Sequence, residues 1–469
     1  MIEGLLSMLI SKFRPKISKR FQNNNKLLPF PLLVLSACGG EETDDVAYGG
    51  HLELAEDYSF PLTGNKFVDA TTQGSYWVAQ NNQLTFAVAH GFNEETWNDI
   101  NYVSEKLSTA MANVDYFTPM DTRFIGTFNN PTDAATAGAT IVLSLDASVI
   151  SAEFGDSAWA VGFYPNSPDV YYEHSAGDIF LNLNSAGAQL ANAAYEPGGK
   201  GFMLLLHELG HALGLKHPHD DGGTGRLTYE QAGYANYDDQ LYTVMAYDDE
   251  FGSVYNAPGT FMLGDALGLM VLYGVNRETN AGDTVYAFRD NDIRNTIWDA
   301  AGSDLIDLSQ CQNDVFARLT QYYSDADIGI EYGYVTTNYG LPDTRTHWLL
   351  GEYEDLIGGA GNDILWGDEN DNIIRGNGGH DIIDGYGGDD LLYGDAGMDE
   401  FQKSLGDGND IILDFEVGVD ICTFWTESGR DDTIARLTSN AYGEALYILS
   451  DGSNLLLDGV QYSDYALIA

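Results

Sequence analysis

The sequence predicts an α+β domain over residues 62–275, followed over 276–469 by an all-β domain built as a parallel β-roll. Three observations predict it. Up to about 275, helix-spaced apolar residues mix with short runs rich in β-branched and aromatic residues. Beyond 276 helical spacing disappears, and Gly and Asp take over. From Gly358 the chain then runs in ninefold register as GGAGNDILW, GDENDNIIR, GNGGHDIID, GYGGDDLLY, GDAGMDEFQ.

Taken in order, residues 1–37 read as a signal segment. Lys12, Arg14, Lys16, Lys19, Arg20 and Lys26 precede the apolar run LLPFPLLVLSA, which is too short to span a bilayer. That run ends in LSAC, which resembles the lipobox of bacterial lipoproteins and implies cleavage before Cys38, lipid on its thiol and a membrane tether. Residues 38–61 are acidic and Gly-containing, a flexible spacer. In EETWNDINYVSEKLSTAM, Trp97, Ile100, Val103, Leu107 and Met111 lie near helical spacing with Asn93 available as cap, and ATIVLSL, AWAVGFY and DIFLNL read as strands. Three cysteines make no disulfide scaffold, although Cys311 and Cys422 could pair if the fold brought them together.

With 71 acidic against 21 basic residues, the formal charge is -50. Such a surface repels nucleic acid and anionic lipid and favours cations as partners. A general solubility or high-salt adaptation would give the same total. Where the acids fall decides between the two.

Four of the nine histidines sit in LLLHELGHALGLKHPHD, Leu204 to Asp220. Phe202, Leu206, Leu209 and Leu213 form one buried helical stripe, and His207 and His211, four apart, stack on a neighbouring face. A catalytic metal wants a third ligand and an open fourth position. Gly214 permits the left-handed turn that ends the helix, so that His217 can swing back to the same point, and Pro218 keeps the helix from resuming. Glu208, beside a ligand, is placed as general base. A buried helix with incidental polar residues is the bland alternative, but HExxHxxGxxHP fixes six positions at once. His219 lies outside that pattern and reads as solvated loop.

Downstream, YTVMAYDD supplies Met245 and, two residues later, Tyr247. The pair resembles the Met-turn of the metzincin metalloproteases, and the serralysin type matches best within that clan. The resemblance implies a metzincin catalytic domain, Met245 as the hydrophobic base of the site, and Tyr247 as stabiliser of the oxyanion. Serralysin-type turns usually carry Ser where this chain has Ala246, a tuning difference. GDALGLMVLYGVN, GDTVYAF and WDAAGSDLIDLS look like the joining segments of that family, and Asp283, Asp299 and Asp304 carry over as calcium ligands.

The ninefold register explains the charge. Its eighth position is apolar throughout, Leu365, Ile374, Ile383, Leu392 and Phe401, and its Gly-rich turn usually ends in a carboxylate. Stacked turns are expected to bring Asp363, Asp381, Asp390 and Asp399 close together, which requires calcium between them. Asn372 and Asn370 depart from the repeat, so one site there is expected to be weak or empty.

DGNDIILDFEVGVDI and SDYALIA resemble serralysin C-termini, which imply type I export, whereas the lipobox implies the general secretory route. The lipoprotein route is favoured, with the tail kept as a β-sandwich cap. Either address is extracellular or at the cell surface. The function implied is zinc-dependent peptide hydrolysis on protein or peptide substrates by a monomer, with one catalytic Zn2+ and several structural Ca2+. The rival is a calcium-dependent adhesin with an inactive protease domain.

Overall fold

The computed structural model describes residues 60–465 except 93, 148–149, 151–157, 170–171, 184–194, 248–255, 322–331, 342 and 427. Cys38 and Asn93 lie outside the described residues. Among the described residues most regular structure is sheet, arranged as one five-stranded and two nine-stranded sheets.

The five-stranded sheet comprises β1 (Gln83–Ala89), β2 (Asp121–Phe128), β3 (Ile141–Leu145), β4 (Ala160–Gly162) and β5 (Ile179–Leu181), ordered β2-β1-β3-β5-β4. The first three and β5 run parallel, and β4 alone closes one edge antiparallel to β5. The three β-rich runs of the sequence thus become strands. Helix α1 spans Ile100–Phe117, with Asp99 as its cap accepting from Asn101 and Tyr102 N–H. The apolar spacing that began at Trp97 therefore overran the true start. Trp97 is buried before the helix, its indole N–H donating to Ala89 O at 2.7 Å, so tertiary packing explains its apolar character. Leu107, Ala110, Met111, Val114 and Phe117 are fully buried on α1, each large side chain contributing about 1.5–3 kcal/mol.

Helix α2 (Lys200–Ala212) is buried on all sides from Gly201 onward, and α3 (Leu263–Tyr273) packs into the same core. That core also takes in Trp298, Tyr332, Trp348 and Leu350 from the C-terminal sheets.

Past residue 280 the two nine-stranded sheets face each other as a roll. Strands Ile364–Asp368, Ile382–Tyr386, Glu400–Ser404 and Ile421–Thr426 stack parallel on one side, and Asp355–Ile357, Ile373–Arg375, Leu391–Tyr393 and Asn409–Ile412 on the other. Each nonapeptide makes half a coil, so neighbours on one side are 18 residues apart, as in Ile364 beside Ile382. Leu365, Ile374, Ile383, Leu392 and Phe401 all fall at 0 % exposure in the roll core, the expectation for the eighth position. Ala435–Ser439, Glu444–Leu449 and Asn454–Gln461 add an antiparallel ribbon to the second sheet.

Cys311 and Cys422 are both free. Cys422 pairs in register with Phe401, and Ile383 and then Leu365 continue that row inward, so several strand spacings of about 4.8 Å separate it from the first turn. Cys311 sits at that turn, its carbonyl accepting from Ala360 N–H.

Candidate metal centre

Helix α2 presents His207 and His211 one turn apart, with Phe202, Leu206, Leu209 and Leu213 at 0 % exposure behind them. It ends at Gly214, whose φ of +96° is left-handed. Leu215 N–H reaches back to Gly210 O at 2.8 Å and Gly214 N–H to His211 O at 2.9 Å, satisfying carbonyls at the helix end. A Cβ on Gly214 would stand 2.1 Å from Ser75 O, so no other residue fits. The buried Lys216 ammonium then holds the returning loop by His217 O at 3.1 Å and Asp220 O at 2.7 Å.

His217 arrives with its Nε2 3.2 Å from that of His207 and 3.0 Å from that of His211. Around a tetrahedral zinc with bonds of about 2.0–2.1 Å, neighbouring nitrogens stand roughly 3.3 Å apart, so the three rings already hold the spacing of a zinc site. Their other nitrogens fix the tautomer. His207 Nδ1 meets Val244 O at 2.7 Å, His211 Nδ1 meets Leu215 O at 3.0 Å and His217 Nδ1 meets an Asp220 carboxylate oxygen at 2.6 Å. Each acceptor demands the proton on Nδ1, which leaves three Nε2 lone pairs converging on one point, an arrangement that repels itself until a cation enters. Burial, then the nearby rings, holds His207 down at about 3 and His211 well below the usual imidazole range, so both stay neutral ligands.

The floor is built from the chain after 242. Met245 is buried, and its Sδ would be 2.5 Å from a Cβ on Gly210, which is why the residue before His211 carries no side chain. Buried Asp265, in the first turn of α3, accepts from Thr243 Oγ1 at 2.5 Å, Val244 N–H at 2.7 Å and Met262 N–H at 2.9 Å. It thereby clamps the residue whose carbonyl orients His207. Tyr247, 66 % exposed, reaches His217 Nε2 with its hydroxyl at 3.1 Å. Glu208 is buried, and burial pushes its carboxyl up to about 8 against a backbone hydrogen bond from Gly162.

His219 is exposed, as expected for loop, yet its ring stacks on His217 at 5.0 Å and lies 4.7 Å from the Tyr247 ring. Sequence reading passed over Asp220, Lys216 and Asp265. Asp220 had a faint signal, three residues after His217. Asp265 had none, because the residues it clamps, Thr243 and Val244, lie 22 and 21 positions upstream.

In the roll, the Asp304 carboxyl contacts that of Asp299 and feels the charge of Asp283. Asp304 accepts from Thr284 N–H at 2.8 Å, Asp283 from Ser303 N–H at 3.2 Å, and Asp299 from the Tyr286 hydroxyl at 2.5 Å and Ala301 N–H at 3.0 Å. Glu354, absent from the sequence reading, joins them by accepting from Asp304 N–H at 2.5 Å. Burial and the adjacent carboxylates push Asp304 up to about 7 and Glu354 to about 8.

The repeat carboxylates form two stacks, which corrects the expectation that all four lie together. Asp381 accepts from Asp363 N–H at 2.8 Å and Asp399 from Asp381 N–H at 2.9 Å, while Asp390 belongs to the opposite stack, accepting from Asn372 N–H at 2.8 Å. The cause is the half-coil per repeat. Asp304 Oδ2, Asp381 Oδ2 and Asp390 Oδ2 are buried without a hydrogen-bond partner among the described residues, oxygen donors of the kind calcium takes. Asn372 instead turns its amide on Asp368 at 3.2 Å and Glu354 O at 2.9 Å.

These features define a class, a metalloprotein with a three-imidazole centre and a calcium-type β-roll. The family model of the RTX calcium-binding nonapeptide repeat matches residues 354–382 and 366–400. Serralysin C of Dickeya chrysanthemi is 34% identical over 224 residues, covering 44% of this chain and 42% of its own. Serralysin of Proteus mirabilis is 28% identical over 336 residues, 67% and 60% of the two chains. Metalloprotease AprA of Pseudomonas entomophila is 30% identical over 310 residues, 58% and 61%. The matched part thus spans between 42% and 61% of the length of these curated relatives. The chain is a homologue of the serralysins that carries RTX calcium-binding repeats. Its cofactors are zinc, which the histidine cluster fits, and calcium, which the repeats fit.

Proposed function

We propose that the chain is an extracellular zinc endopeptidase of metzincin fold, with a catalytic domain over 62–275 and a calcium-bound roll with its C-terminal cap over 276–469. The convergence of three Nε2 atoms on one point carries this reading. His207, His211 and His217 would hold Zn2+, which when bound polarises a scissile carbonyl and activates a water. Glu208 takes the proton from the attacking water and hands it to the leaving amine. Burial raises the proton affinity of this carboxyl, which makes its ionised form a stronger base toward the water. The Tyr247 hydroxyl, exposed on the open side of the cluster, donates to the tetrahedral oxygen.

A peptide substrate is favoured by β4. This strand is the edge of its sheet, and Gly162 at its end contacts Glu208, so an extended chain adding to that edge passes the general base. Asp283, Asp299, Asp304, Asp363, Asp381, Asp390 and Asp399 would contribute to calcium sites, the first three with Glu354. Among the described residues no helix is long and apolar enough to cross a membrane. A lipid on Cys38 remains part of the reading, and palmitate labelling that survives Cys38→Ala would remove it.

The test is casein cleavage and zinc content of the calcium-loaded chain against Glu208→Gln. The variant is expected to keep zinc and lose cleavage. Equal cleavage removes Glu208 from the mechanism, and a parent that lacks zinc and does not cleave favours the adhesin reading instead.

A further inference from the structure

Each nonapeptide of the roll begins with glycine, and the structure shows why. A Cβ on Gly367, Gly376, Gly385 or Gly394 would stand 2.1 to 2.4 Å from the side-chain oxygen five residues on, Asn372, Asp381, Asp390 or Asp399. After Phe401 the series breaks, because the next first position is Lys403. The strand Glu400–Ser404 pairs with Ile382–Tyr386, Gln402 opposite Asp384, so Lys403 follows in step beside Gly385.

Two inserted residues make room for it. The carboxylate that answers Lys403 is Asp410, seven residues on, and the amide link to the previous turn, from Asp390 N–H to Asp410, spans 20 residues where Asp381 to Asp399 spans 18. Lys403 Nζ lies 2.5 Å from Asp410 Oδ2, with the two side chains 0 % and 2 % exposed. The same ammonium is the positive charge acting on buried Asp384 and Asp390 and on half-buried Asp407.

The contrast lies in the second oxygens. Asp381 Oδ2 and Asp390 Oδ2 are buried without a hydrogen-bond partner among the described residues, whereas Asp410 Oδ2, the next of its stack, has a lysine. We propose that the Lys403 ammonium occupies the place of a calcium ion at the last turn of this stack, so that the C-terminal end of the roll is folded without calcium while the preceding turns require it. A tethered cation cannot be chelated or diluted away, and it offers the calcium-dependent turns a fixed template to stack upon.

The inference rests on the calcium reading of the repeats, and two measurements on the full chain separate the two. In excess EGTA, hydrogen exchange should be at least ten-fold slower at the amides of Ser404, Asp390 and Ile411 than at those of Ile364, Ile373 and Ile382. Equal rates in the two groups overturn the proposal, and this comparison needs no variant. With calcium, equilibrium dialysis should find one more bound ion per chain in Lys403→Ala than in the parent, and no extra ion in Lys403→Arg. A parent that binds calcium with no gain in Lys403→Ala overturns this inference alone. A parent that binds none overturns the calcium reading and this inference with it.

Discussion

His217 depends on a support that mutation can remove. His207 and His211 direct their Nδ1 protons to backbone carbonyls, but His217 directs its own to the Asp220 carboxylate at 2.6 Å. Asp220→Ala deletes that acceptor, freeing the ring to rotate and its tautomer to change. The Asp220 side chain is 43% exposed, so its charge is screened and lost orientation dominates. Loss of such an outer partner costs about 10- to 100-fold in metal affinity, or roughly 1.4 to 2.8 kcal/mol. Asp220→Asn keeps an oxygen for the Nδ1 proton and belongs at the weaker end. The assay is zinc competition against a chromophoric chelator at neutral pH and constant calcium. Parental zinc affinity in Asp220→Ala would refute the reasoning, since it would mean that His217 is positioned without its carboxylate.

Further outcomes follow from the same geometry. Asp265→Ala orphans two buried N–H donors, so it should cost about 2–6 kcal/mol and weaken zinc binding through Val244 and His207, read by melting temperature and zinc competition. Gly210→Ala drives a methyl into Met245 Sδ and should lower stability by about 1–3 kcal/mol by denaturant titration, an effect that Gly210→Ala combined with Met245→Ala relieves. Protonation is the other way to relieve the charge that calcium neutralises: folded without calcium, the turns of the roll hold Asp363 at about 7 and Asp381 at about 8, above their unfolded range near 4. The folded state then binds more protons, so its stability falls as pH rises from about 4 through 8. Melting in EGTA should be higher at pH 5 than at pH 8, and the reverse order would contradict the assignment.

The metal helix and the roll were legible because each is a local periodic pattern. The spacing of His207, His211, Gly214 and His217 contains its own geometry, and the apolar eighth position announces each half-coil. What escaped has non-local causes. Trp97 looked helical but is buried by the sheet, and the true cap is Asp99. The nine-residue period does not reveal that successive turns alternate sides, which is why Asp390 was grouped with Asp363, Asp381 and Asp399. Glu354 and Asp265 act on residues 50 and 21 positions away, beyond any short-range pattern. Lys403 interrupts the repeat, and its meaning appears only once Asp410 stands beside it.

The central claim is that three imidazole nitrogens meet at a single zinc ion. X-ray absorption at the zinc edge of the calcium-loaded Glu208→Gln chain tests it most directly. The account predicts three imidazole nitrogens at about 2.0–2.1 Å with one further light atom. A shell with fewer imidazoles, or material that carries no zinc, would contradict it.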